Sequence, residues 1–330
     1  MEKTYKIAKS KSRSMNPFII FLFVLLVIFS VIFTLLVFYG FYNSFKPGVQ
    51  YRYDKDYLGL PDYSNVLRDP ADKGKLKYFP HLFYNYEMVL EKMPGEGTSQ
   101  YYVGWNLDRL APVNAVNNTV GSIVFNTILY SVGGSIIQTL VPLIMGYTCA
   151  RYKYKFSEFL YTLTLFVMVM PLVGTGPARI RLLCRLNLFG TIWGDFATLF
   201  GFTHLYFLMF IAYFDGMSGT YAEAAEIDGA SQFRTMVTIM LPLASKMVLT
   251  ICILFFIGRW NDYTHPLIYL PNYYMISYRI YMITAQNTNT LQYVPAKFAG
   301  SMLIAIPILI VFVALRNKIM GNLTMGGVKE

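Results

Sequence analysis

Residues 220–242, TYAEAAEIDGASQFRTMVTIMLP, form a polar, helix-prone stretch between two long apolar runs. Thr220 followed by Glu223 has the spacing of a capping box, in which two side chains satisfy free backbone N–H groups at the start of a helix. Gly229 can take the left-handed conformation that ends a helix. A second short helix then stops at Pro242, which cannot donate a backbone hydrogen bond. The stretch therefore predicts two helices joined by a glycine corner.

The composition indicates a membrane protein with several spans. The chain has 330 residues, of which 55% are hydrophobic and only 14% are charged, and its mean hydropathy is +0.43. Soluble domains carry about 25% charged residues. The net charge of +10 does not indicate nucleic-acid binding, because many basic residues simply flank the apolar runs, where they orient helices. The separated cysteines, without any CxxC pair, support neither a disulfide framework nor a zinc site.

Apolar runs of about 20 residues can cross a bilayer as helices. Six such runs predict an all-α membrane protein with six transmembrane helices, at 17–42, 120–148, 157–175, 193–214, 245–268 and 299–317. Basic residues at the N-terminus place both termini in the cytoplasm by the positive-inside rule. The same rule puts the loop at 215–244 on that side. The resulting divisions are a basic N-terminus (1–16), the first helix (17–42), an extracytoplasmic loop (43–119), a core (120–318) and a tail (319–330).

The 43–119 loop is rich in tyrosine, with interspersed lysine, aspartate and proline. Disordered segments are poor in aromatic residues, so this density predicts a packed cap. Two interpretations stay open for the loop. It either helps to seat a solute-binding protein, or it only covers the neighbouring helices.

The 220–242 stretch resembles the EAA loop of ABC-importer permeases. Glu223-Ala224-Ala225 is followed after three residues by Gly229, after nine more by Ile239, and then by Leu241-Pro242. In that family the loop is a coupling helix that docks on an ATP-hydrolysing subunit. The alternative is an ordinary interfacial helix hairpin. The resemblance implies a type I importer architecture and these ATPase-coupling residues: Glu223, Ala224, Ala225, Asp228, Gly229, Leu241 and Pro242.

Two further runs resemble the carbohydrate-type permeases, such as the small permease of the maltose importer family. Trp260-Asn261-Asp262-Tyr263, followed by Pro266-Leu267, is similar to their WN-acidic-aromatic run. The ending at 322–330 is similar to their GLTAGAVKG-like tail, which reaches the ATPase dimer. Asn322, Met325 and Glu330 depart from it.

This resemblance implies a bacterial cell-membrane importer for a sugar, with an acidic solute such as a uronic-acid oligomer as the alternative. The implied partners are a second permease, two ATP-binding subunits and an extracytoplasmic solute-binding protein, all acting at a lipid bilayer. No cofactor is expected in this chain, because ATP would be bound by the partner subunits. In the same way, Glu223 would cap the coupling helix, Ala224 and Ala225 would form its docking face, and Gly229 would make its turn.

Ionisable and amide side chains inside spans usually face the bundle or a cavity. His204, Trp260, Asn261 and Asp262 are therefore candidates for the substrate path, although a lone histidine can also simply bond to a neighbouring helix. Arg179, Arg181 and Arg185 lie between the third and fourth predicted helices. They either attract an anionic solute or reach lipid headgroups by snorkelling.

The sequence contains no phosphate-cradling G-x-x-x-x-G-K-[ST] motif and no G-x-S-x-G or H-E-x-x-H motif. The chain is therefore not expected to be an enzyme, and energy for uphill transport would come from a partner. An ion-coupled secondary transporter remains the alternative. Proton-ionophore-sensitive uptake without an ATPase partner would indicate it. The acidic residues lie near helix ends or in loops, which argues against such a carrier.

Overall fold

The computed structural model describes residues 17–48, 59–61, 82–96, 100–102, 110–112, 117–170, 174–285 and 294–320. The expectations for the basic N-terminus, for most of the tyrosine-rich loop and for the tail from residue 321 onward lie outside these ranges.

The described part is mostly helical. Its first helices are α1 (Pro17–Asn43), α2 (Tyr84–Lys92), α3 (Val120–Arg151), α4 (Lys155–Val169) and α5 (Thr175–Arg185). They are followed by α6 (Ile192–Ala197), α7 (Leu205–Asp215), α8 (Thr220–Ile227), α9 (Gln232–Leu243) and α10 (Ser245–Asn261). The last three are α11 (Thr264–Tyr269), α12 (Ile276–Ala285) and α13 (Val294–Met320). The helices α3 and α9 each contain one widened π turn, at Leu129–Gly133 and Met236–Met240.

Four short strands lie between α2 and α3. The strand β1 (Gly95–Glu96) pairs antiparallel with β4 (Asn117–Asn118), and β2 (Gln100–Tyr102) pairs antiparallel with β3 (Leu110–Pro112). The register of the first pair sets Gly95 opposite Asn118. The fold is therefore mainly helical, as predicted, with these small ribbons added in the 43–119 segment.

Three of the described helices, α1, α3 and α13, are long and apolar enough to cross a membrane, and the α9–α10 pair, bent by 73°, would make a fourth span. The helix α7 is apolar but shorter. Of the remaining predicted spans, the one at 157–175 is described as α4 as far as Val169, and the one at 193–214 is divided between α6 and α7.

The predicted continuous helix at 193–214 is wrong, because α6 ends at Ala197 and α7 begins at Leu205. Non-helical backbone at membrane depth is tolerated only where protein buries it or where it lines a cavity. The break contains Gly201 and three polar residues, Thr198, Thr203 and His204, and part of it lines the cavity described below. The predicted 245–268 helix is likewise divided at Asp262, which is extended.

Small residues allow the long α3 helix to pack closely against α7. A Cβ atom at Gly146 would lie 2.6 Å from the Cβ of Phe210 and 3.3 Å from the backbone nitrogen of Ile211. Around this contact, a buried cluster joins the Arg151 end of α3 to α7, α9 and α10, and it includes Leu143, Tyr147, Phe214, Met240, Ala244 and Ile251.

The segment that contains α2 and β4 is attached at the opposite end of α3. The Nδ2 atom of Asn118 donates to the carbonyl of Asn272, and its Oδ1 accepts from the N–H of Tyr274. The guanidinium of Arg279 donates to the carbonyls of Lys92, Met93 and Pro94 at 2.8–3.1 Å. These bonds satisfy carbonyl groups at the end of α2, so this part of the predicted cap is packed.

A buried ion pair joins three elements near the middle of the bundle. Arg259 on α10 bonds to Asp195 on α6, and its Nε donates to the carbonyl of Tyr130 at 2.9 Å. This carbonyl belongs to the widened turn of α3, where the helical hydrogen-bond pattern is interrupted. A Cβ at Gly134 would lie 2.1 Å from the Arg259 Nε, so glycine makes room for the guanidinium.

We predict that Gly146→Ala destabilises the protein, whereas Gly121→Ala on the same helix does not. The added methyl group meets Phe210 in the first variant and open space in the second. Overpacking of this kind costs about 1–3 kcal/mol. Thermal unfolding of the detergent-solubilised protein measures the difference, and equal midpoints would contradict the packing described for α3 and α7.

We also predict that Asp195→Asn is strongly destabilising, because it leaves the buried Arg259 without its counter-charge. Breaking a buried pair costs about 3–5 kcal/mol. The matched control is Asp215→Asn, which removes the exposed pair with Lys153 (3.4 Å), and exposed pairs contribute at most about 1 kcal/mol.

The double variant Asp195→Asn/Arg259→Gln tests the same pair without a buried net charge. It should recover part of the loss seen in thermal unfolding. An Asp195→Asn variant as stable as Asp215→Asn would show that the buried pair is not needed.

Candidate functional site

The helix α8 begins differently from the sequence expectation. Gly219 occupies the N-cap position without a side-chain bond, and its carbonyl accepts from the N–H groups of Ala222 and Glu223 at 3.0 Å. The Thr220 hydroxyl instead bonds to Ser218 at 2.7 Å. The predicted capping box is therefore wrong, because Thr220 is already the first helical residue and its side chain turns back to the preceding loop.

The corner between α8 and α9 is the predicted glycine turn. Gly229 has a φ of +77°, and its N–H donates to the Glu226 carbonyl at 3.1 Å. The N–H of Ala230 donates to the Ala225 carbonyl at 2.9 Å, which completes a Schellman motif. A Cβ at position 229 would contact nothing within 4 Å. Glycine is thus required here by backbone conformation and not by lack of space.

The helix α9 does not stop at Pro242 as predicted. Ser231 caps its start by accepting from the N–H of Arg234 at 3.3 Å, and the helix continues to Leu243. The widened turn at Met236–Met240 precedes the proline, and an interruption of the regular bonding there fits a residue without an N–H. The chain bends at Ala244, where α10 leaves at 73°.

One side of α8 packs against the chain itself. Ala222 and Ala225 are only 1% and 4% exposed, whereas Glu223, Ala224 and Asp228 are exposed. Of the two alanines predicted to form the docking face, Ala224 is exposed, whereas Ala225 is buried within the chain.

Two polar contacts tie this element to the end of α3. Glu226 forms an ion pair with Arg151 at 3.1 Å. Gln232 bonds to the hydroxyl of Tyr152. These two contacts therefore hold the α8–α9 element against the end of α3.

The outer surface of the α8–α9 element carries large apolar side chains in unusual exposure. Tyr221, Ile227 and Phe233 are 52%, 86% and 72% exposed, and we call them the exposed apolar set. The carboxylates of Glu223 and Asp228 lie beside them in sequence. Exposed apolar residues with a polar surround mark interaction sites when they occur together.

A cavity of about 470 Å³, with several polar side chains in its lining, lies between α3, α5, α10, α11 and the segment that joins α6 to α7. Its lining includes Gln138, which is about 20 Å along α3 from Arg151 by helical rise. The cavity is thus near the middle of the longest helices and borders the break between α6 and α7. The other lining residues are Arg179, Thr198, Leu199, Gly201, Thr203, His204, Leu254, Phe255, Gly258, Arg259, Asp262 and His265.

The structure brings only some of the candidate path residues to this cavity. His204 and Asp262 line it, as does Arg179, whereas Arg181 and Arg185 do not.

Two other candidates point elsewhere. Trp260 is buried and donates from Nε1 to the Ile304 carbonyl on α13 at 3.0 Å. Asn261 faces a separate apolar groove between α1 and α13, and its amide bonds back to Ile257 at 2.9 Å. Consecutive residues on a helix point about 100° apart, so adjacency in the sequence motif does not place them on one face.

Five polar lining residues were not among the candidates, namely Gln138, Thr198, Thr203, Arg259 and His265. An arginine within an apolar run is itself a signal, because intramembrane charges are rare and functional. Nothing in the sequence around Gln138 distinguishes it from other polar residues on a buried helix.

Two carboxylates next to the cavity, those of Asp195 and Asp262, have polar partners within the chain. Asp195 lies between Arg259 and His265, whose Nδ1 is 3.2 Å from its Oδ1. Asp262 accepts from the hydroxyl of Tyr130 at 3.2 Å and from the backbone N–H groups of Thr264 and His265 at 3.0 Å. Within the described residues, no cluster of histidine, cysteine and acidic side chains is suited to hold a metal ion.

Known proteins resemble this chain in sequence and fold. The family model for "binding-protein-dependent transport system inner membrane component" matches residues 138–324, which include the cavity residues and the α8–α9 element. The arabinooligosaccharides transport permease AraQ of Halalkalibacterium halodurans is 26% identical over 204 residues, covering 62% of this chain and 72% of the relative. The melibiose/raffinose/stachyose import permease MelC of Bacillus subtilis is 24% identical over 218 residues, covering 64% and 77%.

Among solved structures, a bacterial ABC transporter involved in the import of the acidic polysaccharide alginate has a chain of the same fold. The TM-score is 0.66 at 21% sequence identity, and the match covers 93% of this chain and 98% of the other. The relatives are permease subunits, which are not enzymes themselves. Since the family model spans more than half of the sequence, this chain belongs to the inner-membrane components of binding-protein-dependent transport systems.

Proposed function

We propose that the chain forms half of the translocation path of an ATP-driven importer for a sugar or oligosaccharide in a bacterial cell membrane. In this proposal the six segments predicted from the sequence cross the bilayer, and α6–α7 forms a broken span. Both termini and the α8–α9 element lie in the cytoplasm. The sugar specificity is supported by the family and by the arabinooligosaccharide and melibiose permeases that the chain resembles.

The partners that we propose are a second, different permease, two ATP-binding subunits and an extracytoplasmic solute-binding protein. One ATP-binding subunit binds the α8–α9 element. The exposed apolar set would fill a groove on that subunit, and Glu223, Ala224 and Asp228 would contact its rim. A few large apolar anchors commonly dominate such helix-in-groove contacts.

The observation that carries this function is the course of α10. It begins at Ser245, directly after the α8–α9 element, and ends at Asn261 beside the cavity residues Arg259 and Asp262. Its 17 residues span about 25 Å. One rigid helix, α10, therefore transmits a displacement of the docked element to the wall of the cavity. Leu241 and Pro242 lie next to the bend between α9 and α10, through which this displacement would reach α10.

The cavity suits a small polar solute. Its volume of about 470 Å³ lies within the roughly 300–1,000 Å³ typical of small-molecule sites. His204 and Asp262 are the proposed contacts on this chain. Trp260 and Asn261 would act through the packing of α10 against α13 and α1. The second permease would close the open side of the cavity.

We predict that Gly229→Val uncouples transport from ATP hydrolysis. A branched residue is strained at a φ of +77° by about 1–2 kcal/mol, so the two helices of the element lose their angle and ATP-driven uptake falls about tenfold. The matched variant is Gly229→Asn, since asparagine tolerates this conformation and the position has open space.

Uptake, membrane level and co-purification of the ATP-binding subunit are measured for both variants. The valine variant should insert normally but retain less of the ATPase partner, whereas the asparagine variant should behave nearly as the original protein. Equal uptake by the two variants would show that the corner geometry does not govern coupling.

A further inference from the structure

We propose that Arg179 selects the charge of the transported solute, so that the preferred substrate is a sugar bearing a carboxylate. This inference rests on the proposed import function and names the substrate class of the same cavity. It depends on three features of the lining. These are the partners of its charged side chains, the N–H groups of Arg179 that remain available to a solute, and two buried hydrogen-bond acceptors.

Among the charged side chains of the lining, Arg179 differs from the other two, which have hydrogen-bond or ion-pair partners within the described residues. Arg259 is paired with Asp195, and the carboxylate of Asp262 accepts three hydrogen bonds, one from Tyr130 and two from backbone N–H groups. Arg179 is exposed on α5, and it forms no ion pair with any carboxylate in the described part of the chain. Arg179 is therefore the one cation of the described cavity lining whose guanidinium has no carboxylate partner.

The contact that Arg179 does make leaves its hydrogen-bond donors free. Its guanidinium carbon lies 5.7 Å from the centre of the Tyr269 ring, which is the geometry of a cation–π contact. Tyr269 in turn packs against His265, with ring centres 4.4 Å apart. A guanidinium held over an aromatic face keeps its planar N–H fork available for a carboxylate, the group it binds best.

Two buried atoms of the cavity lining could accept hydrogen bonds from the hydroxyl groups of a solute. The Oε1 of Gln138 and the Nδ1 of His204 are buried, and neither has a hydrogen-bond partner among the described residues. Buried polar atoms are nearly always paired, and both of these atoms can accept from an O–H donor. A polyhydroxylated ring in the cavity would supply these donors, while its carboxylate would reach Arg179 at the edge.

The helix α5 provides its own controls. Arg181 and Arg185 lie on the same helix and are exposed like Arg179, but they do not line the cavity. A general attraction of anions to a basic helix would depend on all three arginines equally. Selection within the cavity depends on Arg179 alone.

The test uses the complete transporter with its binding protein in proteoliposomes. The probes are trimers of galacturonate and mannuronate, their neutral methyl esters, and maltotriose. We expect ATP-dependent uptake of at least one uronate trimer in preference to its methyl ester. Arg179→Gln should lower uptake of that trimer about tenfold, the effect of losing one charge-assisted bond, and Arg179→Lys should restore part of it.

Arg181→Gln and Arg185→Gln should leave uronate uptake and basal ATP hydrolysis within twofold of the original protein. Transport restricted to the neutral probes, or an equal loss in all three glutamine variants, would overturn the inference while leaving an ATP-driven importer in place. Uptake that proceeds without ATP would instead overturn the proposed function.

Discussion

The structure depends on one constraint, which is that charges and backbone groups away from water need partners inside the protein. Arg259 meets it through Asp195, 64 residues earlier in the chain, and through the carbonyl of Tyr130, which lies in the widened turn of α3 and also accepts from the N–H of Gly134. The pair fixes α6 against α3 and α10, and α6 therefore ends early. The chain then runs without helical bonding to His204, and this irregular backbone is tolerated because part of it lines a cavity.

The same constraint distinguishes the side of the α8–α9 element that packs against the chain from the side that can contact a partner protein. The α8–α9 element is held by the buried residues Ala222 and Ala225 and by the Glu226–Arg151 pair, while the exposed apolar set is accessible to a partner. In the mechanism that we propose, a partner bound to this element and a solute in the cavity would act on one helix, because α10 links the two. Family membership and geometry therefore support the same mechanism of transport.

Features that depend on residues close together in the sequence could be predicted from the sequence. The glycine corner at Gly229, the first long apolar helix and the family all follow from local pattern, and the structure and comparisons agree with them. Features set by tertiary contacts could not be predicted in this way. The break before His204 lies between two apolar helices, so the whole run reads as one span, and the partner of Arg259 is distant in sequence. Trp260 and Asp262 are nearly adjacent, yet they face opposite sides because the helix rotates between them and ends.

The most direct test of this account is a photo-cross-link from the tip of the α8–α9 element. A benzoylphenylalanine replaces Ile227, which is 86% exposed, and in a control it replaces Leu60, which is 78% exposed near the far end of α1. In the assembled transporter, we predict an adduct between position 227 and the ATP-binding subunit, and none between position 60 and that subunit. An adduct from position 227 to an extracytoplasmic protein, or none at all, would contradict the account.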